Sequence, residues 1–133
     1  MKRIFLLLAA FALTTGCDDI FEPNLTNRTV TVIAPAEGAE MTEGTVTFLW
    51  EPASGARGYR LTIVAPDFDN ATTVVADTLL MNDSLTVRRS FRCALTGGSY
   101  QWSISAFNSA YATATSVFDL KIVRSEKLEV SSY

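Results

Sequence analysis

Apolar and polar residues alternate along most of the chain beyond residue 28. The segments 45–51, 59–64 and 100–106 place an apolar side chain at every second position, and most of these side chains are β-branched or aromatic. A period of two with such residues predicts half-buried antiparallel strands. Four further segments show the pattern less regularly: 29–35, 72–80, 84–95 and 116–122.

Seven short strands separated by turn residues predict an all-β fold, an antiparallel β-sandwich. Its core is formed by the inward side chains of two sheets, and we expect Trp50 and Trp102 near its centre. Residues 36–43 are predicted as a turn-rich connection. An arginine interrupts the apolar face of 84–95, so we expect a bulge or a change of sheet near Arg89–Ser90.

The first sixteen residues have the pattern of a secretion signal. Lys2 and Arg3 precede an unbroken apolar run from Ile4 to Leu13, and small residues follow. As a helix this run would rise about 15 Å, half of a hydrocarbon core of roughly 30 Å. We therefore expect a cleaved signal peptide rather than a membrane span.

The cysteine that follows these small residues carries a resemblance to a known export signal. Small residues ending at Cys17 resemble the lipobox of bacterial lipoproteins, in which this thiol receives a diacylglyceryl group. Leu13 lies one position further from Cys17 than the usual lipobox leucine, and this looser form is common in Bacteroidetes. Surface lipoproteins of that group often carry acidic residues after the cysteine, as Asp18 and Asp19 do here. The resemblance implies a lipid anchor on Cys17 in the outer membrane, with the domain at the cell surface.

Four parts follow from these patterns. The sequence from Asp18 to Arg28 is polar and contains Pro23, as expected of a short tether. The end of the chain is polar as well, although Leu128 and Val130 could extend a sheet edge. The predicted parts are a lipoprotein signal peptide (1–16), a lipidated cysteine with its tether (17–28), a β-sandwich (29–123) and a polar tail (124–133).

Two segments resemble the fibronectin type III domain. FLWEPASGARGYRLTIV places Trp50 and Pro52 before Tyr59 and an alternating strand, like the second and third strands of that family. LTGGSYQWSISAFN places Tyr100 two residues after Gly98, like the sixth strand. The resemblance implies an immunoglobulin-like sandwich with a tyrosine corner, in which the Tyr100 hydroxyl bonds back to the chain near Leu95. The expected structural core residues are Trp50, Tyr59, Tyr100 and Trp102.

The mature sequence is also similar to small fibronectin-type lipoproteins of Bacteroidetes, most of which have no assigned activity. The segments that would form the fourth and fifth strands match the family pattern poorly. Their topology is therefore left open.

Composition excludes several kinds of chemistry. The chain has no histidine, so it lacks Ser-His-Asp and Cys-His catalysis and the histidine-containing zinc sites. Lys2 and Arg3 leave with the signal, so nine cationic side chains remain against fourteen carboxylates, a formal charge of −5. Such a chain is a poor ligand for nucleic acid. We expect no cofactor and no metal, and we expect Cys93 to be a small buried hydrophobe rather than a reactive thiol.

Two loops carry the candidate binding residues. In the first, paired carboxylates could serve glycoside hydrolysis or help bind Ca²⁺, but acids in a loop are more often solvated turn formers, and this loop offers too few oxygen ligands alone for Ca²⁺. In the second, aromatic rings could stack on sugars, or they could simply cover the end of the core. The candidates are Asp67, Phe68, Asp69, Asn70, Phe107, Asn108 and Tyr111.

These observations favour a non-catalytic, lipid-anchored binding or scaffold module that contacts a glycan or an envelope protein. The alternative is an accessory subunit of an outer-membrane complex for nutrient uptake or surface fibres. A third possibility is a glycan-active enzyme that uses carboxylates only. Asp77-Thr78-Leu79 and Asp83-Ser84-Leu85 also resemble the O-glycosylation motif of exported Bacteroidetes proteins, with Thr78 and Ser84 as acceptors.

Overall fold

The computed structural model describes residues 22–125, which form strands and connecting loops. Cys17 and the predicted edge residues Leu128 and Val130 lie outside this range. No helix within it is long and apolar enough to cross a bilayer. The strands are β1 (Val32–Ala34), β2 (Ala39–Thr42), β3 (Gly44–Trp50), β4 (Gly58–Ala65), β5 (Thr73–Met81), β6 (Ser90–Leu95), β7 (Gly98–Phe107) and β8 (Ser116–Val123).

The strands form two sheets, which confirms the predicted all-β sandwich. One sheet has three strands in the order β1-β3-β6, and the other has five in the order β2-β8-β7-β4-β5. All pairs are antiparallel except β2 with β8, which is parallel. The topology that the sequence left open is thereby given: β5 lies at the outer edge of the five-stranded sheet, and β6 belongs to the other sheet.

Aromatic rings fill the space between the sheets. Trp50, Tyr59 and Trp102 are at most 1% exposed, because they occupy the inward positions of the strictly alternating strands β3, β4 and β7. Phe48 meets Trp102 edge to face at a centroid distance of 4.8 Å, and the Trp50 and Tyr59 rings lie 5.3 Å apart. Such tilted pairs are the arrangement that aromatic rings prefer in protein cores.

Tyr100 fixes the turn between β6 and β7. Its hydroxyl donates a hydrogen bond of 2.7 Å to the Thr96 carbonyl oxygen, the backward contact of a tyrosine corner. Gly98 follows that turn at a φ of +152°, a value that favours glycine. At the same turn, the Gly97 N–H donates to the Glu43 carboxylate at 3.1 Å.

The turn-rich connection predicted for residues 36–43 contains a strand. β2 occupies Ala39–Thr42, pairs with β8 and forms one edge of the five-stranded sheet. Ala39 and Met41 are half-buried while Glu40 is exposed, so the period of two is present. Two weakly apolar positions between turn residues are too short a signal to separate a strand from a loop.

The strand predicted for residues 84–95 is wrong in its first half, since β6 begins only at Ser90. Residues 82–89 instead cross from one sheet to the other, and Leu85 and Val87 are exposed rather than sharing the inward face. The cause is local: the Asp83 carboxylate accepts hydrogen bonds from the two N–H groups of Leu85 and Thr86, at 2.8 and 2.7 Å. Such an Asx turn competes with a strand. The change of sheet expected near Arg89–Ser90 therefore takes up all of residues 82–89.

Candidate functional site

The two candidate loops lie at opposite ends of the sandwich. The loop 66–72 follows the end of β4, whereas Phe107 ends β7 and the loop with Asn108 and Tyr111 follows it. Because β7 is antiparallel to β4, with Gly58 opposite Phe107, these two strand ends are separated by the length of β4, about 24 Å. The structure therefore does not bring the predicted residues together. We call the end with loop 66–72 the groove end, and the opposite end the N-terminal end.

Residues 22–28 pack onto the N-terminal end. Leu25 is fully buried there, and the Asn108 side-chain amide donates to the carbonyl oxygens of Pro23 and Gly55, at 2.9 and 3.2 Å. The Arg28 guanidinium also donates to the Ser54 carbonyl oxygen at 2.6 Å. This part of the predicted tether is therefore fixed to the domain rather than extended away from it.

An ion pair adds to this attachment. Arg57 and Glu22 form two hydrogen bonds, the shorter of 2.8 Å between Nη2 and Oε2. The hydrogen bonds from Arg57 hold the pKa of the Glu22 carboxyl below its usual value. In the sequence, the only signals for this packing are one apolar residue, Leu25, among polar neighbours and one asparagine in a distant loop.

Phe107, Asn108 and Tyr111 are part of the framework at this end. Besides its two donated bonds, the Asn108 side chain accepts from the N–H groups of Ala110 and Tyr111, at 3.0 and 2.8 Å. The Phe107 ring packs against Gly58, where an added Cβ would lie 3.0 Å from it. Tyr111 is half-buried. The Phe107 ring and the Asn108 amide thus take part in the packing of this end.

An open groove of about 600 Å³ lies at the groove end. It runs between loop 66–72, the first residues of β7 and the middle of β8. Its floor includes Tyr100 and Leu120, and the backbone at Gly38 forms part of its wall. The polar side chains that line it belong to Asp67, Asp69, Ser99, Gln101, Asp119 and Lys121.

Gln101 connects the loop to the sheet. Its side-chain oxygen accepts from the Phe68 N–H at 2.9 Å, and its amide nitrogen donates to the Asp119 carboxylate at 2.8 Å. Asp119 in turn donates its N–H to the Glu37 carboxylate at 3.1 Å. Sequence reasoning missed both Gln101 and Asp119. Their only signal was an outward position on alternating strands, which any solvated polar residue shares.

Within the loop, two residues shape the turn and two face solvent. The Asp67 carboxylate accepts from the Asn70 N–H at 2.8 Å, which closes an Asx turn. Asp69 is exposed, and Phe68 is 38% exposed. Over residues 22–125, no three His, Cys, Asp or Glu side chains are grouped so that they could hold a metal ion. The arrangement provides hydrogen-bonding groups around an open groove rather than a buried acid.

A second polar feature lies on the outer face of the five-stranded sheet. Arg60 on β4 donates two hydrogen bonds to Asp77 on β5, at 3.0 and 2.9 Å, and Thr62 donates a third at 3.1 Å. The bonds from Arg60, followed by that from Thr62, hold the pKa of Asp77 below its usual value. The two glycosylation-like motifs flank this region, with Thr78 half-buried opposite Leu61 and Ser84 exposed.

No family model matches the sequence, and no curated protein matches it. Solved structures do. A fibronectin(III)-like module of Clostridium thermocellum CbhA is 8% identical with a TM-score of 0.51, over 73% of this chain and 99% of the module. The fn3 domain of human collagen alpha-1(XX) is 17% identical with a TM-score of 0.53, over 78% of this chain and 89% of that domain.

A third structure gives the same result. The fibronectin type III domain of human KIAA0970 is 15% identical with a TM-score of 0.53, over 88% of this chain and 89% of that domain. At such low identity the likeness concerns the fold alone. The chain thus has a fibronectin type III-like fold.

Proposed function

We propose that the protein is a non-catalytic binding module of the bacterial cell envelope, anchored to the outer membrane through a lipid on Cys17, and that the domain presents its groove end to its ligand. The observation that carries this proposal is the packing of residues 22–28 onto the end opposite the groove. Domains with this fold typically serve as binding or scaffold modules, which supports a non-catalytic role.

The length of the connection supports an outward-facing groove. Four residues, 18–21, separate Cys17 from the packed residue Glu22. Fully extended, this connection reaches at most about 18 Å. A lipid on Cys17 would therefore hold the N-terminal end next to the membrane surface, and the groove would open on the far side of the domain.

The groove side chains suit a ligand rich in hydroxyl groups. Asp69, Asp119 and Lys121 provide charged acceptors and donors, and Ser99 adds a hydroxyl. Phe68, between Asp67 and Asp69 in the same loop, offers a partly exposed ring. Convergent polar groups fix the orientation of a bound ligand in small-molecule sites. A glycan is the ligand class that this chemistry supports best.

The anchor is tested by labelling cells with an alkyne-bearing fatty acid and fractionating their membranes. Wild type should carry the label and sediment with the outer membrane, and Cys93→Ser should behave identically. Cys17→Ser should lose both properties. Equal labelling and fractionation of Cys17→Ser and wild type would overturn the anchor.

The groove is tested by applying the mature lipidated protein, in detergent, to an array of envelope and dietary glycans. Asp69→Ala and Lys121→Ala should weaken binding by roughly tenfold, since each removes a polar group that faces the groove. Glu51→Ala, an exposed carboxylate at the N-terminal end, is the matched control. Binding that depends on Glu51 as much as on Asp69 would place the site elsewhere.

One observation favours a second candidate, an accessory subunit of an outer-membrane complex. Large apolar side chains are exposed along β5 and the crossing after it, including Leu79 and Leu85. Contiguous exposed apolar residues often mark protein contacts. Mild crosslinking of cells followed by purification should then recover a defined envelope protein, and recovery of the protein alone would count against this role.

A further inference from the structure

β5 is a free sheet edge in the part of the chain that the structure describes. It pairs with β4 on one side and, within residues 22–125, with no strand on the other. At nine residues it is longer than the other three edge strands of the two sheets, β1, β2 and β6. The outward N–H and C=O groups of such a strand are ready to pair with another chain.

The edge lacks the features that usually prevent pairing. Thr73–Met81 contains no lysine and no proline. Its one charged residue is Asp77, and Arg60 and Thr62 hold that carboxylate over the face of the sheet. The register irregularity opposite Ile63 and Val64 affects the first third of the strand, so Ala76–Met81 is left regular.

The exposed apolar residues concentrate along this edge. Five of the eight large hydrophobic side chains that are exposed in the described part of the chain lie between residues 74 and 87. Leu79 shares the outer face with Asp77, and Leu85 is 93% exposed. The five are Val74, Leu79, Met81, Leu85 and Val87.

Three arginines follow these exposed apolar residues in the sequence. Arg88, Arg89 and Arg92 lie within five residues in a chain whose mature form is acidic. The ion pairs found in residues 22–125 involve Arg57 and Arg60, and none involves these three. Because the crossing 82–89 joins β5 to β6, the arginines lie on the same side of the sandwich as the free edge.

We propose that the free edge of β5 binds an extended strand of a partner protein, whose alternating apolar side chains cover Leu79 and Met81 and whose carboxylates meet Arg88, Arg89 and Arg92. Backbone hydrogen bonds supply the affinity in this mode of recognition, and the side chains supply the specificity. The inference uses a different surface from the groove, and it gives the second candidate role a contact site.

A second copy of this chain fits the edge less well. Two identical β5 strands would pair antiparallel about a twofold axis, which reverses one sandwich end to end relative to the other. With the anchor proposed above, one Cys17 would reach the membrane and the other would lie at least the length of β4, about 24 Å, above it. The connection to Cys17 spans at most about 18 Å.

The test uses the lipidated mature protein in nanodiscs and two synthetic twelve-residue peptides that alternate valine and threonine. One peptide ends in three glutamates and the other in three lysines. The glutamate peptide should bind at least about tenfold more tightly and should slow hydrogen exchange of residues 73–81. Replacing both Arg89 and Arg92 with glutamate should reverse this preference. Failure of the glutamate peptide to protect 73–81 would overturn the proposal.

A matched pair of variants separates the edge from the rest of the sheet. Leu79→Lys should weaken peptide binding by at least about tenfold, whereas Val117→Lys, on the outer face of β8, should leave it unchanged. Both variants should unfold at the wild-type temperature, since both positions are exposed. Equal peptide binding by the two variants would contradict the proposal. A dimer of the wild type in sedimentation that Leu79→Lys dissociates would also contradict it, because the edge would then bind a second copy of this chain. Cys17→Ser should bind the peptide like wild type, so failure of the anchor and failure of the edge are distinguishable.

Discussion

At the scale of single residues, the two tryptophans combine large burial with an unmet polar group. The indole N–H groups of Trp50 and Trp102 are buried and have no hydrogen-bond acceptor in the described structure. A buried donor without a partner costs about 1–3 kcal/mol. Burying each ring contributes on the order of 2–3 kcal/mol, so packing rather than hydrogen bonding explains why these positions are aromatic.

Substitution of Trp102 separates these two effects. Trp102→Ala should lower the free energy of unfolding by about 3–5 kcal/mol, because it leaves a large cavity between the sheets. Trp102→Phe should cost less than half as much, since it keeps most of the ring and removes the unmet N–H. Urea unfolding followed by circular dichroism measures both. Equal losses for the two variants would contradict packing as the main contribution of this ring.

Cys93 gives a second prediction at this scale. It is half-buried against the core, and desolvation raises the pKa of its thiol. A thiol reacts through its thiolate, so alkylation by iodoacetamide at neutral pH should be slow in the folded protein and fast in urea. Because position 17 is lipidated in the proposed mature form, mass spectrometry should show a single alkylation. Rapid labelling of Cys93 in the folded protein would contradict this prediction, because it would show that the thiol is accessible and ionised.

At the scale of elements, predictability depends on how many residues carry the pattern. The strands β3, β4 and β7 each have three or more strong apolar residues at alternate positions, and all three were predicted. β2 has only two weak ones, and the crossing 82–89 has an apolar alternation that the turn at Asp83 overrides. Local hydrogen bonds of this kind are invisible to a period-two pattern.

The packed segment 22–28 was missed for a related reason, because its contacts are made to residues far along the chain.

The Glu22 ion pair with Arg57 makes the attachment of segment 22–28 sensitive to pH. A carboxyl whose pKa is lowered in the folded state stabilises that state above its unfolded pKa, and the contribution is lost as the pH falls through the folded value.

The thermal midpoint of wild type should therefore fall more steeply than that of Glu22→Gln on acidification below about pH 4. The pKa of Asp77 is also lowered in the folded state, so acid destabilises both proteins through Asp77. The difference between their two thermal midpoints therefore reports on Glu22. Hydrogen exchange of residues 22–28 should rise over the same range in wild type. Parallel curves for the two proteins would contradict a role for this ion pair.

At the scale of the whole molecule, the candidate site shows where sequence reasoning ends. The loops could be named from their composition, but not their placement at opposite ends, because that follows from strand direction and pairing. Gln101 and Asp119 were missed because one outward polar residue looks like any other until the loop at Asp67 is folded over it. The groove is a product of three elements that are separated in sequence.

Orientation on the membrane is the whole-molecule prediction. In a Cys93→Ser background, a fluorophore on Ser54→Cys at the N-terminal end should be quenched by lipids that carry a spin label in the headgroup. The same fluorophore on Asn70→Cys at the groove end should not, because β4 separates the two ends by about 24 Å and the connection to Cys17 reaches at most about 18 Å. Both positions are exposed, so neither label disturbs the core.

Inserting a flexible ten-residue linker after Asp19 should weaken quenching at Ser54, since the domain could then move away from the bilayer. Equal quenching at both positions in the unmodified chain would show that the sandwich lies on its side, and the groove would then not face outward.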